Sequence, residues 1–456
     1  MVVSFTGVLV VGIVSVLVPV ILGFVPALTV PGAVLEVIAG IVIGPSVLGW
    51  VHIDVAITVL ADLGLGMLLF LAGLEIDVAG LRGPLGRLAG VGFAASVVLG
   101  IGAGFALTGA GLGGRPLFLA VVLMSTSAGL LLPLLKDAGE EATRFGQLVM
   151  AAAALAEVAT ILLLSLLFSA ASRTTASRLA SLAIFLCLLG ALALALSRVR
   201  RLDALERLLD RLENRSAQLR VRVTLTLALA FGVLAYQFGF ASILGAFAAG
   251  LLVRATDLTG PHPHPQFELK LQGIGFGFLI PIFFIATGIR FDLRALVSHP
   301  SALVEVPVFL LALLVVRGLP AVAFVRMFGR RRAVVAGLME ATSLTFVIVA
   351  TQIGVAARLI STATSASLLA AGLLSAAIFP TVALRLLAQP QPQPDPADPL
   401  PAAPAMPQPE PAKPELQAVP ADSQPQAEPA QDIPENAQSP GHRHDRGFFP
   451  RFHRGG

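Results

Sequence analysis

Apolar runs of bilayer-crossing length follow one another along most of this chain. Inside a bilayer no water is available to pair exposed N–H and C=O groups, so a spanning segment is either a helix or part of a closed barrel. A helix needs about 20 apolar residues to cross, a barrel strand only about 10. Bounded by Gly, Pro and charged residues, the runs lie near 5–25, 32–49, 57–75, 86–110, 115–135, 145–170, 178–197, 219–238, 240–254, 268–288, 301–325, 331–354 and 360–387. Thirteen runs of helical length predict an all-α polytopic membrane protein. Charged residues make up 13% of the chain, about half their share in a soluble domain, which sets a soluble globular fold aside. No Lys or Arg precedes the first run, so it reads as a membrane helix and not as a signal peptide. The single cysteine, Cys187, excludes an internal disulfide and a multi-cysteine metal site, and nothing in the sequence calls for a cofactor.

The loops carry orientation. With the N-terminus outside, most loop Lys and Arg fall on the cytoplasmic side, as the positive-inside bias requires. The largest share comes from "SRVRRLDALERLLDRLENRSAQLRVRV" (197–223), whose Leu residues recur at helical spacing among Arg and acids. That pattern predicts an amphipathic helix on the inner membrane face; its interleaved acids argue against nucleic acid. Residues 1–388 thus form a transmembrane domain, and 389–456 a Pro-rich cytoplasmic tail that cannot bury a core and is expected to be disordered. His442 and His444 in that tail read as solvated, and His262 and His264 as part of a cytoplasmic turn.

The second half of the membrane region echoes the first. "VIAGIVIG" (37–44) is matched by "AFAAGLLV" (246–253), "FLAGLEID" (70–77) by "FIATGIRFD" (284–292), and Thr126-Ser127 by Thr342-Ser343. An odd number of spans separates each pair, so the copies are inverted, the arrangement of secondary transporters whose site lies at the midplane between repeats. The fifth and twelfth spans each carry a polar knot at the centre: Ser125, Thr126 and Ser127 in one, Glu340, Thr342 and Ser343 in the other. Matched interruptions of this kind point to the substrate site, since unwound backbone survives in a membrane only where it is buried in protein or lines a cavity.

The segments "LEVIAGIVIGPSVLGW", "LADLGLGMLLFLAGLEIDVAGL" and "STSAGLLLPLLKDAG", followed by "ASILGAFAAGLLV" and "LIPIFFIATGIRFDL", resemble the bacterial cation:proton antiporters of the Kef and Nap type, within the sodium/proton exchanger superfamily. The resemblance covers about residues 5–388. It implies a thirteen-helix homodimer in the cell membrane, with a dimerisation domain and a core domain in which two broken helices cross. It also implies that the second residue of a central pair on the sixth span binds cation and proton alternately. The matching positions are Ala156 and Glu157, so the first acid of the usual pair is missing.

Glu157 draws the same attention without the resemblance. It is the one charged residue between Phe145 and Ala171 and lies near the bilayer midplane, where a bare carboxylate is unfavourable by several kcal/mol or more. Oxygen ligands beside it suit a hard monovalent cation, Na+ or K+. Arg317 is the other embedded charge, expected to balance Glu157 or Glu340 unless it snorkels to the cytoplasmic end. Glu36 and Asp62 are expected near the core, as supporting or merely structural carboxyls, while Glu305 reads as an ordinary interfacial acid. The sequence therefore predicts a cation:proton antiporter. A proton-uncoupled channel or carrier and a transport-inactive sensor stand as rivals. A membrane enzyme is disfavoured, because the loops hold no His/Asp/Glu cluster.

Overall fold

The computed structural model describes residues 5–24, 30–76, 83–168, 175–199, 219–256 and 265–388. The tail at 389–456, most of the amphipathic segment at 197–223, and His262 and His264 lie outside them.

Every described element is helical, and helices occupy each of the thirteen expected stretches. In chain order they are α1 (Phe5–Phe24), α2 (Gly32–Ile43), α3 (Val55–Glu75), α4 (Pro84–Gly109), α5 (Pro116–Leu123), α6 (Ala128–Asp137), α7 (Arg144–Phe168), α8 (Thr175–Val199), α9 (Leu219–Gln237) and α10 (Ser242–Thr256). Then follow α11 (Pro265–Ile274), continued through a π-helical turn at Gly275–Leu279 into α12 (Ile280–Arg290), and α13 (Leu293–Ser298). After these come α14 (Pro300–Leu313), α15 (Val325–Glu340), α16 (Thr345–Ala356) and α17 (Thr362–Ala388). Eight described stretches are long and apolar enough to cross a bilayer alone; one of them, Pro300–Ala356, has 57 residues and room to cross twice.

Local chemistry sets several boundaries. Pro84, Pro116 and Pro300 open α4, α5 and α14, where the missing N–H has no intrahelical partner to lose. Asp54 caps α3 by accepting from the Ile57 amide at 2.8 Å. Gly329, at φ 79°, supplies the left-handed turn that separates the eleventh expected span from the twelfth.

The helices sort into two bundles, each packed closely within itself. One contains α1, α2, α3, α9, α10 and α12; the other contains α4 to α7 and α14 to α17. Between them the contacts are sparse, chiefly α3 with α6, α10 with α7 and α2 with α17. The first bundle shows the inverted repeat in its seams. A Cβ on Gly40 would run into the Ile285 carbonyl, and one on Gly288 into that of Val37. Likewise a Cβ on Gly250 would meet the Phe70 carbonyl, and one on Gly73 that of Phe247. Gly40 and Gly250 are equivalent in the two copies, as are Gly73 and Gly288, so α2 sits on α12 as α10 sits on α3. Small residues at such crossings are how membrane helices come close enough to gain dispersion energy.

Candidate functional site

Both polar knots are breaks. α5 stops at Leu123 and α6 starts at Ala128; α15 stops at Glu340 and α16 starts at Thr345. The two unwound stretches satisfy one another. The Ser127 amide donates to the Thr342 carbonyl at 3.0 Å, and the Thr126 hydroxyl donates to the Glu340 carbonyl at 2.5 Å. Ser125 and Ser343 share a hydroxyl–hydroxyl bond of 2.5 Å. Ser375 on α17 closes the cluster, accepting from the Ser343 amide at 3.1 Å and donating to its carbonyl at 3.3 Å. Thr342 turns its hydroxyl back to the Leu338 carbonyl at 3.2 Å.

The crossing departs from symmetry in one respect. The Ser127 hydroxyl accepts from the amides of Leu344 and Thr345, at 2.9 and 3.0 Å, and so caps α16. It makes no side-chain cap for α6, the helix that it precedes. The α6 N-terminus, with its partial positive charge, instead presents the Ala128 N–H to the Glu157 carboxyl. Glu157 itself is 4% exposed, on the inner face of α7. One turn further along α7, Thr160 returns its hydroxyl to the Ala156 carbonyl at 2.7 Å.

Arg317 does not snorkel. It lies in a π-helical turn, Leu314–Gly318, whose wider winding re-aims side chains, and it is 3% exposed. Its Nε donates to the Thr126 hydroxyl at 2.7 Å and its Nη1 to Ser96 at 3.0 Å, while Nη2 pairs with Glu340 Oε2. Of its two expected partners, then, Arg317 takes Glu340 and not Glu157. The other oxygen of Glu340, Oε1, is buried without a partner among the described residues.

A cavity of about 520 Å³ leads towards Glu157 between the two bundles. Glu75, Lys136, Glu141, Gln147, Arg254 and Glu268 line it, and Ala128 and Ala154 stand at its inner wall. Glu157 follows Ala154 by three residues, about one helical turn.

The structure thus gathers Ser125, Thr126, Ser127, Thr342, Ser343, Glu340 and Arg317 into one buried cluster, with Glu157 at its α6 edge. It does not bring in Glu36 or Asp62. Glu36 is half-buried on α2 and Asp62 is exposed on α3, and neither makes a hydrogen bond or ion pair among the described residues. Glu305 departs from its expectation: it is 7% exposed on the packed face of α14, with Oε2 unpartnered among the described residues. Sequence reasoning missed Ser96 and Ser375, whose partners are remote in the chain. It also missed Glu75, although "FLAGLEID" had been singled out as a repeat.

A family model described as the sodium/hydrogen exchanger, transmembrane, matches residues 12–389. A Bacillus subtilis protein named as a Na+/H+ antiporter is 29% identical over 370 residues, covering 77% of this chain and 58% of that protein. This chain therefore spans little more than half of that relative's length. The Na+/H+–K+ antiporter GerN of Bacillus cereus is 28% identical over 267 residues, 58% of this chain and 66% of its own. Among solved structures, the sodium proton antiporter MjNhaP1 of Methanocaldococcus jannaschii shares the fold, with a TM-score of 0.58 at 15% identity over 84% of this chain and 99% of that one.

Proposed function

Because this chain belongs to the sodium/hydrogen exchanger family, we propose that it is a secondary active transporter, not an enzyme, exchanging a monovalent cation for protons by alternating access. One observation carries the reading: Glu157 is buried one helical turn beyond Ala154 of the cavity wall, against the uncapped N-terminus of α6. A bare carboxylate in that setting is unfavourable, and either a cation or a proton neutralises it. The two compete for one group, so binding of one displaces the other, and that competition is the exchange. The Ala128 amide, at the positive end of α6, faces that carboxylate.

The cation is Na+ or K+, a hard ion suited to oxygen ligands. Around Glu157, the hydroxyls of Ser125, Thr126, Ser127 and Ser343 and the carbonyl of Thr342 fasten the two breaks together, and the Arg317–Glu340 pair travels with them as a neutral unit. The bundle carrying α4 to α7 and α14 to α17 moves against the other, whose sparse contacts with it resist little. The first bundle serves as the dimerisation domain, where the apolar exposed side chains of α1, such as Leu9, Ile13 and Val16, face lipid or a second copy of the chain. The protein sits in the cell membrane with its N-terminus outside. Its tail and the cavity mouth are then cytoplasmic, since α3, α6 and α10 end on that side.

The test is cation-driven dequenching of a pH dye in proteoliposomes. Glu157→Gln should abolish exchange while the purified protein still runs as a folded species on size exclusion. Exchange at the unaltered rate in that variant would remove Glu157 from the mechanism.

A further inference from the structure

The cavity has a carboxylate on each wall. Glu157 lies behind the wall built by α6 and α7, and Glu75 lies on the opposite wall, as the last residue of α3. Glu75 is anomalous as a structural residue. A helix C-terminus carries partial negative charge, so an acid there is destabilising, and the last turn of α3 holds no basic residue to offset it. Its Oε2 is buried and has no hydrogen-bond partner among the described residues. The charges that reach it are Lys136, Glu157 and Glu268. Lys136 is shared with Glu141 at 4.0 Å and is largely solvated, with 58% of its side chain exposed. The cavity lining thus holds three carboxylates, Glu75, Glu141 and Glu268, against two cations, Lys136 and Arg254, and the buried oxygen of Glu75 adjoins the carbonyl-bearing end of α3. Oxygen donors with an excess of negative charge are the ligand chemistry of a hard monovalent cation.

We infer that Glu75 is a second binding carboxylate, which takes the monovalent cation from the cavity water before Glu157 receives it. The inference rests on the exchange reading above and adds a direction to it. α3 belongs to the bundle opposite Glu157, so the two carboxylates approach one another only while the cavity is open between the bundles. Glu75 therefore serves one face of the membrane.

That face is identified as the one from which an impermeant thiol reagent modifies Leu132→Cys in a Cys187→Ser background, because Leu132 lines the cavity. Loss of one ligand carboxylate is expected to raise the half-saturating Na+ or K+ concentration about tenfold at that face in Glu75→Gln vesicles, equivalent to about 1.4 kcal/mol. At the opposite face the change should stay below about twofold on the same scale. An unchanged value at the cavity face, or an equal rise at both faces, overturns the role of Glu75. If Glu75→Gln shows no exchange at all, equilibrium binding of radioactive Na+ to detergent-purified protein decides instead. Glu157→Gln should retain weak binding that is lost in Glu75→Gln/Glu157→Gln, and identical binding by the two overturns the inference. Exchange that survives Glu157→Gln defeats the mechanism proposed above, yet leaves this binding comparison intact.

Discussion

Transport is expected to be electroneutral, one cation for one proton, and the structure supplies the count. A second proton needs a second carboxyl that sees both sides of the membrane. Ala156 is not titratable, and Glu340 is held by Arg317, whose guanidinium does not release a proton at any workable pH. Glu75 is on the other bundle, and Glu305 lies twelve residues from Arg317, about 18 Å along the helix and far from the cavity. Glu36 is likewise on the other bundle and Glu141 is solvated beside Lys136, so among the described acids Glu157 remains. The assay is exchange in proteoliposomes with the potential clamped by a K+ gradient and valinomycin, using Na+ as the driven ion and reading the gradient at which net flux reverses. One net charge per cycle is worth about 2.3 kcal/mol per 100 mV. At about 1.4 kcal/mol per tenfold, that would displace the reversal gradient roughly fortyfold for each 100 mV. Electroneutral exchange leaves it where it was. A displacement of that size refutes the single-carboxyl count, and its disappearance in Glu340→Gln would locate the second carrier.

Four further outcomes are expected. Glu340→Gln strands Arg317 as a buried unpaired cation and should destabilise the fold by about 3–5 kcal/mol, read by denaturant unfolding in detergent; a loss under about 1 kcal/mol would show that the pair is not a clamp. Ser127→Ala removes the cap on two α16 amides and should lower stability by about 1–2 kcal/mol in the same assay. Gly288→Val drives a side chain into the Val37 carbonyl and should destabilise by about 1–3 kcal/mol or more, whereas Gly66→Ala, with open space around it, should be neutral or better. A cysteine placed in the tail should react with an impermeant reagent only after cells are permeabilised; reaction in intact cells would reverse the proposed topology.

The breaks were legible in the sequence because polar residues in an apolar helix are rare, and two such knots at matched positions in inverted copies are rarer. Glu157 stood out for the same reason. Partner choice was not legible. Whether Arg317 turned to Glu157 or Glu340 depends on a π-helical turn that no periodicity announces, and on Thr126 and Ser96 reaching it from other helices. The facing of Asp62 and Glu305 was also hidden, since a helix that is apolar all round shows no stripe by which to tell inside from outside. Asp62 therefore looked like a core acid and proves exposed, while Glu305 looked interfacial and proves buried. Glu75 escaped notice because acids at the ends of apolar runs are commonplace. Only the cavity beside it makes this one unusual.

The four glycines of the α2–α12 and α3–α10 crossings have a mechanical consequence. Side-chain interfaces yield under load by changing rotamers, so neighbouring helices can creep past each other in small steps. At these crossings main chain rests on main chain, and there are no rotamers to change. A displacement there must break the contact outright or leave it alone. Such a frame is stiff for the same reason that it is intolerant of substitution. It gives the moving half a fixed rail to work against, and keeps the stroke from being absorbed as slack.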